Sequence, residues 1–148
     1  MKDDAWKNHM KANLEKLRPL IDDVRQQSPL VLAYIGDALY ELAVRSRVVQ
    51  GQTAPMQTLH EQTKNQVQAS AQAKMLHTIH DQLTPDEQAI MRRARNTKVN
   101  VPASASPADY RYSTAFEAVL GYLFLDGQLE RLTALLDQVV QEGQIQSE

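Results

Sequence analysis

Cysteine is absent from the 148 residues. That excludes a disulfide framework, thiol catalysis and any zinc or iron–sulfur site built on cysteine ligands. Glycine is scarce, with five in all, and no phosphate-cradling glycine loop, G-x-S-x-G nucleophile turn or zinc-ligand spacing is present. Strand-type alternation is missing. The longest apolar runs, such as 30–35, are far too short to span a membrane. Residues 1–10 mix charges of both signs and have no apolar stretch, so no secretion leader is expected. A large excess of one charge is lacking too, because the formal net charge is −2. The hydrophobic share of 43% is too high for a disordered chain. The expectation is one soluble, cytoplasmic domain, large enough to bury a core without staples.

The near-neutral sum hides an uneven distribution. Residues 92–111 carry Arg92, Arg93, Arg95, Lys98 and Arg111 against Asp109 alone. From Glu117 to the end, six acids face only Arg131. A basic island therefore stands next to an acidic tail.

Nearly every segment reads as helix, giving an all-α bundle. Residues 4–18 form a polar, weakly amphipathic stretch with Trp6, Met10, Leu14 and Leu17 at helical spacing, closed by Pro19, and suggest a loosely docked first helix. Ser28-Pro29 is a helix start: Ser caps, and Pro fits the first turn, where its missing N–H costs nothing. That helix should reach about Gln50, with Gly51 following. It is apolar on almost all sides from Leu30 to Leu42, which suggests a central position. Residues 56–80 read as helix with a break near Thr63. Thr84-Pro85-Asp86-Glu87 is a capping box opening a helix that ends near Asn96. Residues 97–108 form the one clear loop. Helices are then expected over 109–125 and 128–142, separated by a turn at Asp126-Gly127. The expected organisation is an N-terminal extension over 1–27, a single domain over 28–142 and a tail over 143–148.

Two carboxylates stand where apolar residues are expected. Asp37 interrupts VLAYIGDALYELAV, and Glu117 interrupts TAFEAVLGYLFL. Aspartate is a poor mid-helix residue, and burying either charge would cost several kcal/mol or shift its pKa strongly. Each could pair with an arginine. Alternatively, the two could face each other and share a hard divalent cation. Gly36, Ala38, Ala118 and Gly121 are small enough to let two helices come close. Glu41, four residues after Asp37, shares its helix face and is either a further carboxylate of the site or a solvated rim position. In the stretch RRARNTK, Arg92, Arg93, Arg95 and Lys98 exceed what a helix C-terminus needs for its dipole, which makes phosphate contact an alternative. Tyr110-Arg111-Tyr112 follows the loop. His77, His80 and Asp81 resemble fragments of a histidine–aspartate metal site, but no confident ligand spacing joins them to His60 or to one another.

Taken together, LAYIGDALYELAVR (32–45) and YRYSTAFEAVLGYLFL (110–125) resemble the two halves of a ribonuclease III catalytic domain. The resemblance covers about residues 28–140, and the intervening RRARNTK is similar to the basic stretch of the short bacterial form, the Mini-ribonuclease III family. It implies a homodimeric, all-helical, Mg²⁺-dependent endoribonuclease acting on double-stranded RNA. Asp37 and Glu117 would bind metal, and no separate RNA-binding domain is expected. The family role implied is maturation of 23S (large-subunit) ribosomal RNA precursor, with a ribosomal protein or precursor particle as partner. The phosphate-contact candidates are Arg92, Arg93, Arg95, Lys98 and Arg111. Where the full-length enzymes carry a further acid, this chain has Thr114, which with Glu41 is a candidate for supporting the ligands. A catalytically inactive RNA- or ribosome-binding module of the same fold is the alternative.

Overall fold

The computed structural model describes residues 2–147. Among them are seven α-helices: α1 (Lys2–Leu17), α2 (Pro29–Val49), α3 (Met56–Val67), α4 (Ala69–Ile79), α5 (Pro85–Arg95), α6 (Pro107–Leu125) and α7 (Leu129–Ser147). Single 3₁₀ turns lie at Val24–Gln26 and His80–Gln82. The described residues contain no strand, as the missing alternation implies.

The starts of the helices follow their capping chemistry. Ser28 Oγ accepts from Leu30 N–H with Pro29 in the first turn, and Thr84 and Glu87 form the reciprocal capping box. Ser106-Pro107 repeats the serine–proline signal, its Oγ accepting from Asp109 N–H. Helix α6 therefore starts two residues earlier than 109, and the loop is shorter by as much. The break expected near Thr63 falls instead at Gln68, which is extended. Thr63 sits within α3, its hydroxyl donating to the Leu59 carbonyl. Helix α7 runs on past 142, where the sequence pattern fades.

The central helix is α6, not α2. From Ser113 to Leu125 every residue of α6 except Glu117 is buried, and α2, α4 and α5 pack around it. Helix α2 buries Leu32, Ala33, Gly36, Tyr40, Val44 and Val48 against it but leaves Val31, Tyr34, Leu42 and Val49 exposed. An all-round apolar helix can mean burial in one chain or one face left for a partner, and hydropathy does not tell these apart.

Helix α1 touches the rest of the bundle at few points. Lys11 pairs with Glu130 of α7 at 3.1 Å, and Leu14 packs on the core. Just beyond α1, Arg18 donates to the Leu125 carbonyl at the end of α6 (3.2 Å). The side chains of Trp6 and Met10 lie outside the described residues. Among the described residues, no helix is long and apolar enough to cross a membrane.

Candidate functional site

Helices α2 and α6 approach until their backbones touch. A Cβ added at Gly36 would overlap the carbonyl of Glu117, and one added at Gly121 would overlap that of Leu32. Only glycine allows this contact. Asp37 follows Gly36 on one side of the crossing, and Glu117 itself supplies the carbonyl on the other. Close by, Tyr40 and Phe116 meet edge to face with ring centroids 5.0 Å apart, which fixes the register of the two helices. The Tyr40 hydroxyl donates to the Gln66 carbonyl near the α3–α4 break.

The crossing brings Asp37, Glu41 and Glu117 within electrostatic reach of one another. The Glu117 carboxyl is pushed up to about 8, first by burial and next by the Asp37 charge. The nearby Gln72 amide opposes this, and Glu41 adds to it. The Asp37 carboxyl is raised as well, by partial burial and then by Glu41. Asp37 is nevertheless an exposed residue, not the core residue its apolar surroundings suggested, because it lies on the open side of α2. Neither acid owes its position to a basic partner: Arg45, the nearest cation on α2, is engaged by Glu41 at 2.7 Å.

The donor set suits a hard divalent cation. Two carboxylates forced together without a counter-charge are stabilised by a shared cation, which replaces the proton that Glu117 otherwise retains. Among the described residues, no three His, Cys, Asp or Glu side chains form a group able to hold a metal. Mg²⁺ does not require one, since it binds through one or two carboxylates and keeps several waters. The side-chain oxygen of the buried Gln72, whose amide acts on Glu117, also has no hydrogen-bond partner among the described residues. A hydrated cation brings O–H donors to such an acceptor.

Thr114 lies one turn before Glu117, buried, with its hydroxyl donating to the Tyr110 carbonyl at 2.9 Å. The basic residues divide. Arg93 is tied down, donating to the carbonyls of Arg25 and Gln27. Arg95 is half-buried, its closest polar neighbour being Asn96. Arg92, Lys98 and Arg111 are exposed and form no ion pair among the described residues. Arg92 and Arg93 line an open groove with Pro29, Ala89, Asn96 and Thr97. His77 stacks against Tyr112 at 4.7 Å, while His80 lies 3.3 Å from Asp81.

Two participants were not singled out in the sequence. Gln72 is an ordinary helix residue whose contact with Glu117 exists only once α4 packs on α6. Arg45 gave a local signal, the i,i+4 spacing from Glu41.

An all-helical bundle that crosses two acid-bearing helices at a pair of glycines defines a ribonuclease III-type endonuclease domain. The family described as Ribonuclease III domain matches residues 30–128. The Mini-ribonuclease 3 of Thermoanaerobacter sp. (strain X514) is 46% identical over 121 residues, covering 81% of this chain and 85% of that one. The Mini-ribonuclease 3 of Symbiobacterium thermophilum is 50% identical over 109 residues, covering 73% and 84%. A crystal structure of a Fusobacterium nucleatum protein superimposes with a TM-score of 0.74 at 30% identity, covering 82% of this chain and 98% of that one. The chain belongs to the ribonuclease III family of endoribonucleases, in its short Mini-ribonuclease 3 branch.

Proposed function

We propose that the chain is a Mg²⁺-dependent endoribonuclease that cuts double-stranded RNA, with Asp37 and Glu117 holding the metal. The observation that carries this reading is the contact of α2 and α6 at Gly36 and Gly121, which brings Asp37 and Glu117 within electrostatic reach of each other, with no ion pair to either acid among the described residues. When bound, the metal supplies a water of lowered pKa and stabilises charge on the scissile phosphate. Asp37 and Glu117 fix its place at the crossing, and Glu117 must give up its proton to do so. Glu41, neutralised in part by Arg45, supports the negative field from the rim. Hydrolysis of this kind leaves 5′-phosphate and 3′-hydroxyl ends.

Duplex RNA has two strands, and two sites related by a two-fold axis match them. The exposed apolar face of α2, with Val31, Tyr34 (79% exposed), Leu42 and Val49, suits an isologous homodimer contact. Arg92, Lys98 and Arg111 supply phosphate contacts, with Arg95 beside them. A-form RNA is read largely by shape across its minor groove. With a formal net charge of −2, binding to naked duplex should be weak and salt-sensitive. A pre-assembled substrate fits that economy, and we place the chain in the cytoplasm, trimming the ends of 23S ribosomal RNA precursor on a particle or with a ribosomal protein. Residues 28–142 are assigned to the catalytic domain, with 1–27 as an extension and 143–148 as a tail.

One feature favours the alternative of a non-catalytic RNA- or ribosome-binding module: Thr114 stands where a further acid is expected, and its hydroxyl donates to the Tyr110 carbonyl of its own helix. Incubation of the purified chain with a perfect RNA duplex decides between the two. Cleavage with Mg²⁺ that EDTA abolishes is expected, and an intact duplex under both conditions would select the inactive module.

A further inference from the structure

Helices α3 and α4 part at the extended Gln68, and a cavity of about 260 Å³ opens between them and the last turns of α7. Its walls include Tyr40, Asn65, Gln66, Ser70, Lys74 and Gly143. Neither Asp37 nor Glu117 lines it, and among the described residues its walls carry no acid. Gln68 gives α4 no side-chain cap. Its carbonyl takes the N–H groups of Ala71 and Gln72, which leaves those of Ala69 and Ser70 without an acceptor among the described residues. Gln66 is an independent signal at the same place. It is 7% exposed, and its side chain has no hydrogen-bond partner among the described residues. Its Oε1 is sealed against α7, where a Cβ added at Gly143 would come within 3.2 Å of it. The amide Nε2 is then the end left open to the cavity, with two N–H donors and nothing to receive them. Lys74, one turn after Ser70, is exposed and makes no ion pair among the described residues. A nearly buried amide donor left unmet costs stability, and so does an uncapped helix start.

We propose that the α3–α4 cavity binds a phosphoryl group, with the Ala69 and Ser70 N–H groups, the Gln66 amide and Lys74 as its donors. The first turn of a helix carries partial positive charge and bare N–H groups, both of which favour an anion. Lys74 adds a full charge to one wall, and no acid opposes it. The donors come from two helices, so a tetrahedral group with three or four acceptor oxygens satisfies more of them than a planar carboxylate does. The break that exposes them is held open by side chains from elsewhere: the Tyr40 hydroxyl takes the Gln66 carbonyl and Gln72 takes that of Val67. The α4 start is thereby presented ready-made, at little ordering cost to the bound group. A phosphoryl group of this kind belongs either to an RNA backbone or to a phosphate-bearing small molecule. The site is separate from the carboxylate pair and does not depend on the metal reading.

The test titrates inorganic phosphate into the full chain in EDTA, at ionic strength held constant with chloride, and follows amide resonances by NMR. The backbone amides of Ala69 and Ser70 and the Gln66 side-chain amide are expected to shift together and saturate in the millimolar range. Lys74→Glu should weaken that binding about tenfold or more, and Lys74→Arg should keep it. Lys74 is exposed, so both variants should fold, and Gln66→Leu is the second probe, expected to weaken phosphate as well. Amides of the α4 start that do not respond to phosphate overturn the proposal, as does a response of the same midpoint in Lys74→Glu. The source of the group is read from duplex RNA. If Lys74→Glu also weakens RNA binding and lowers the slope of log affinity against log salt by about 1, the phosphoryl group is the RNA's own. If RNA binding and cleavage match wild type while phosphate binding is lost, the site takes a phosphate-bearing small molecule.

Discussion

Two glutamates are drawn into this bundle, and their surroundings differ completely. Glu87, 1% exposed in its side chain, receives a two-pronged contact from Arg131 (2.9 and 3.1 Å) and closes the capping box with Thr84 N–H. Arg131 also donates to the Gln82 carbonyl. The Arg131–Glu87 contact ties α7 to α5, and the Gln82 contact ties α7 to the 3₁₀ turn before α5. Glu117 has acids for neighbours and one amide, and its carboxyl is pushed up to about 8. A buried acid with a guanidinium is a joint of the fold. A half-buried acid forced against another acid stores an unfavourable interaction that an external cation can release.

Glu117→Gln or Asp37→Asn is the strongest test of that contrast. Each should lower duplex cleavage about a thousandfold, the equivalent of several kcal/mol of transition-state stabilisation. Neither should lower the melting temperature of the metal-free protein. A stable, fully active Asp37→Asn enzyme would reduce the pair to a structural oddity. Arg131→Met should do the opposite, leaving Glu87 buried without a partner. The expected cost is about 3 kcal/mol, the low end for such pairs because the Arg131 side chain is 32% exposed. Chemical denaturation measures it, and cleavage by the folded fraction should be unchanged.

The pH dependence sharpens the comparison. Metal-free Glu117 holds its proton in the folded protein up to about 8, whereas in the unfolded chain it loses it near the ordinary 4.5. In that window the native state binds more protons, so its contribution to stability falls as pH rises. Thermal melts in chelator should therefore show wild type losing ground to Glu117→Gln across this range, and parallel profiles would contradict the assignment. Excess Mg²⁺ should remove most of the difference. The smallest effects belong to the basic residues. Lys98→Gln and Arg111→Gln should each weaken RNA binding a few-fold and reduce the slope of log affinity against log salt by about 1. Arg93→Gln, which loses two carbonyl contacts, should cost stability of about 1 kcal/mol and leave that slope nearly unchanged.

The site was more legible in the sequence than the scaffold that holds it. An acid inside an apolar run is visible in one dimension, so Asp37 and Glu117 stood out, and the small residues beside them announced a close helix approach. The capping box disclosed Glu87, but its partner is 44 residues away on another helix, and nothing local points to it. The α3–α4 break has no glycine or proline to mark it. It is sustained by Tyr40 and Gln72, residues that meet it only after packing. The outward face of α2 misled in a different way, because hydropathy records an aversion to water without saying which molecule relieves it. Ser106-Pro107 was available as a start signal and was absorbed into the loop only because the surrounding residues are also serine, alanine and proline.

The glycine pair at the α2–α6 crossing has a consequence for how the protein tolerates change. Each glycine seats a carbonyl of the opposite helix, so the separation of the two axes is a backbone dimension, independent of how the surrounding side chains fill space. Substitutions elsewhere in the core can alter stability by repacking, yet they act on the carboxylates only through a stop that is already closed. The spacing of the acids behaves like a machined gauge: insensitive to the quality of the packing around it, and vulnerable to a single methyl group at Gly36.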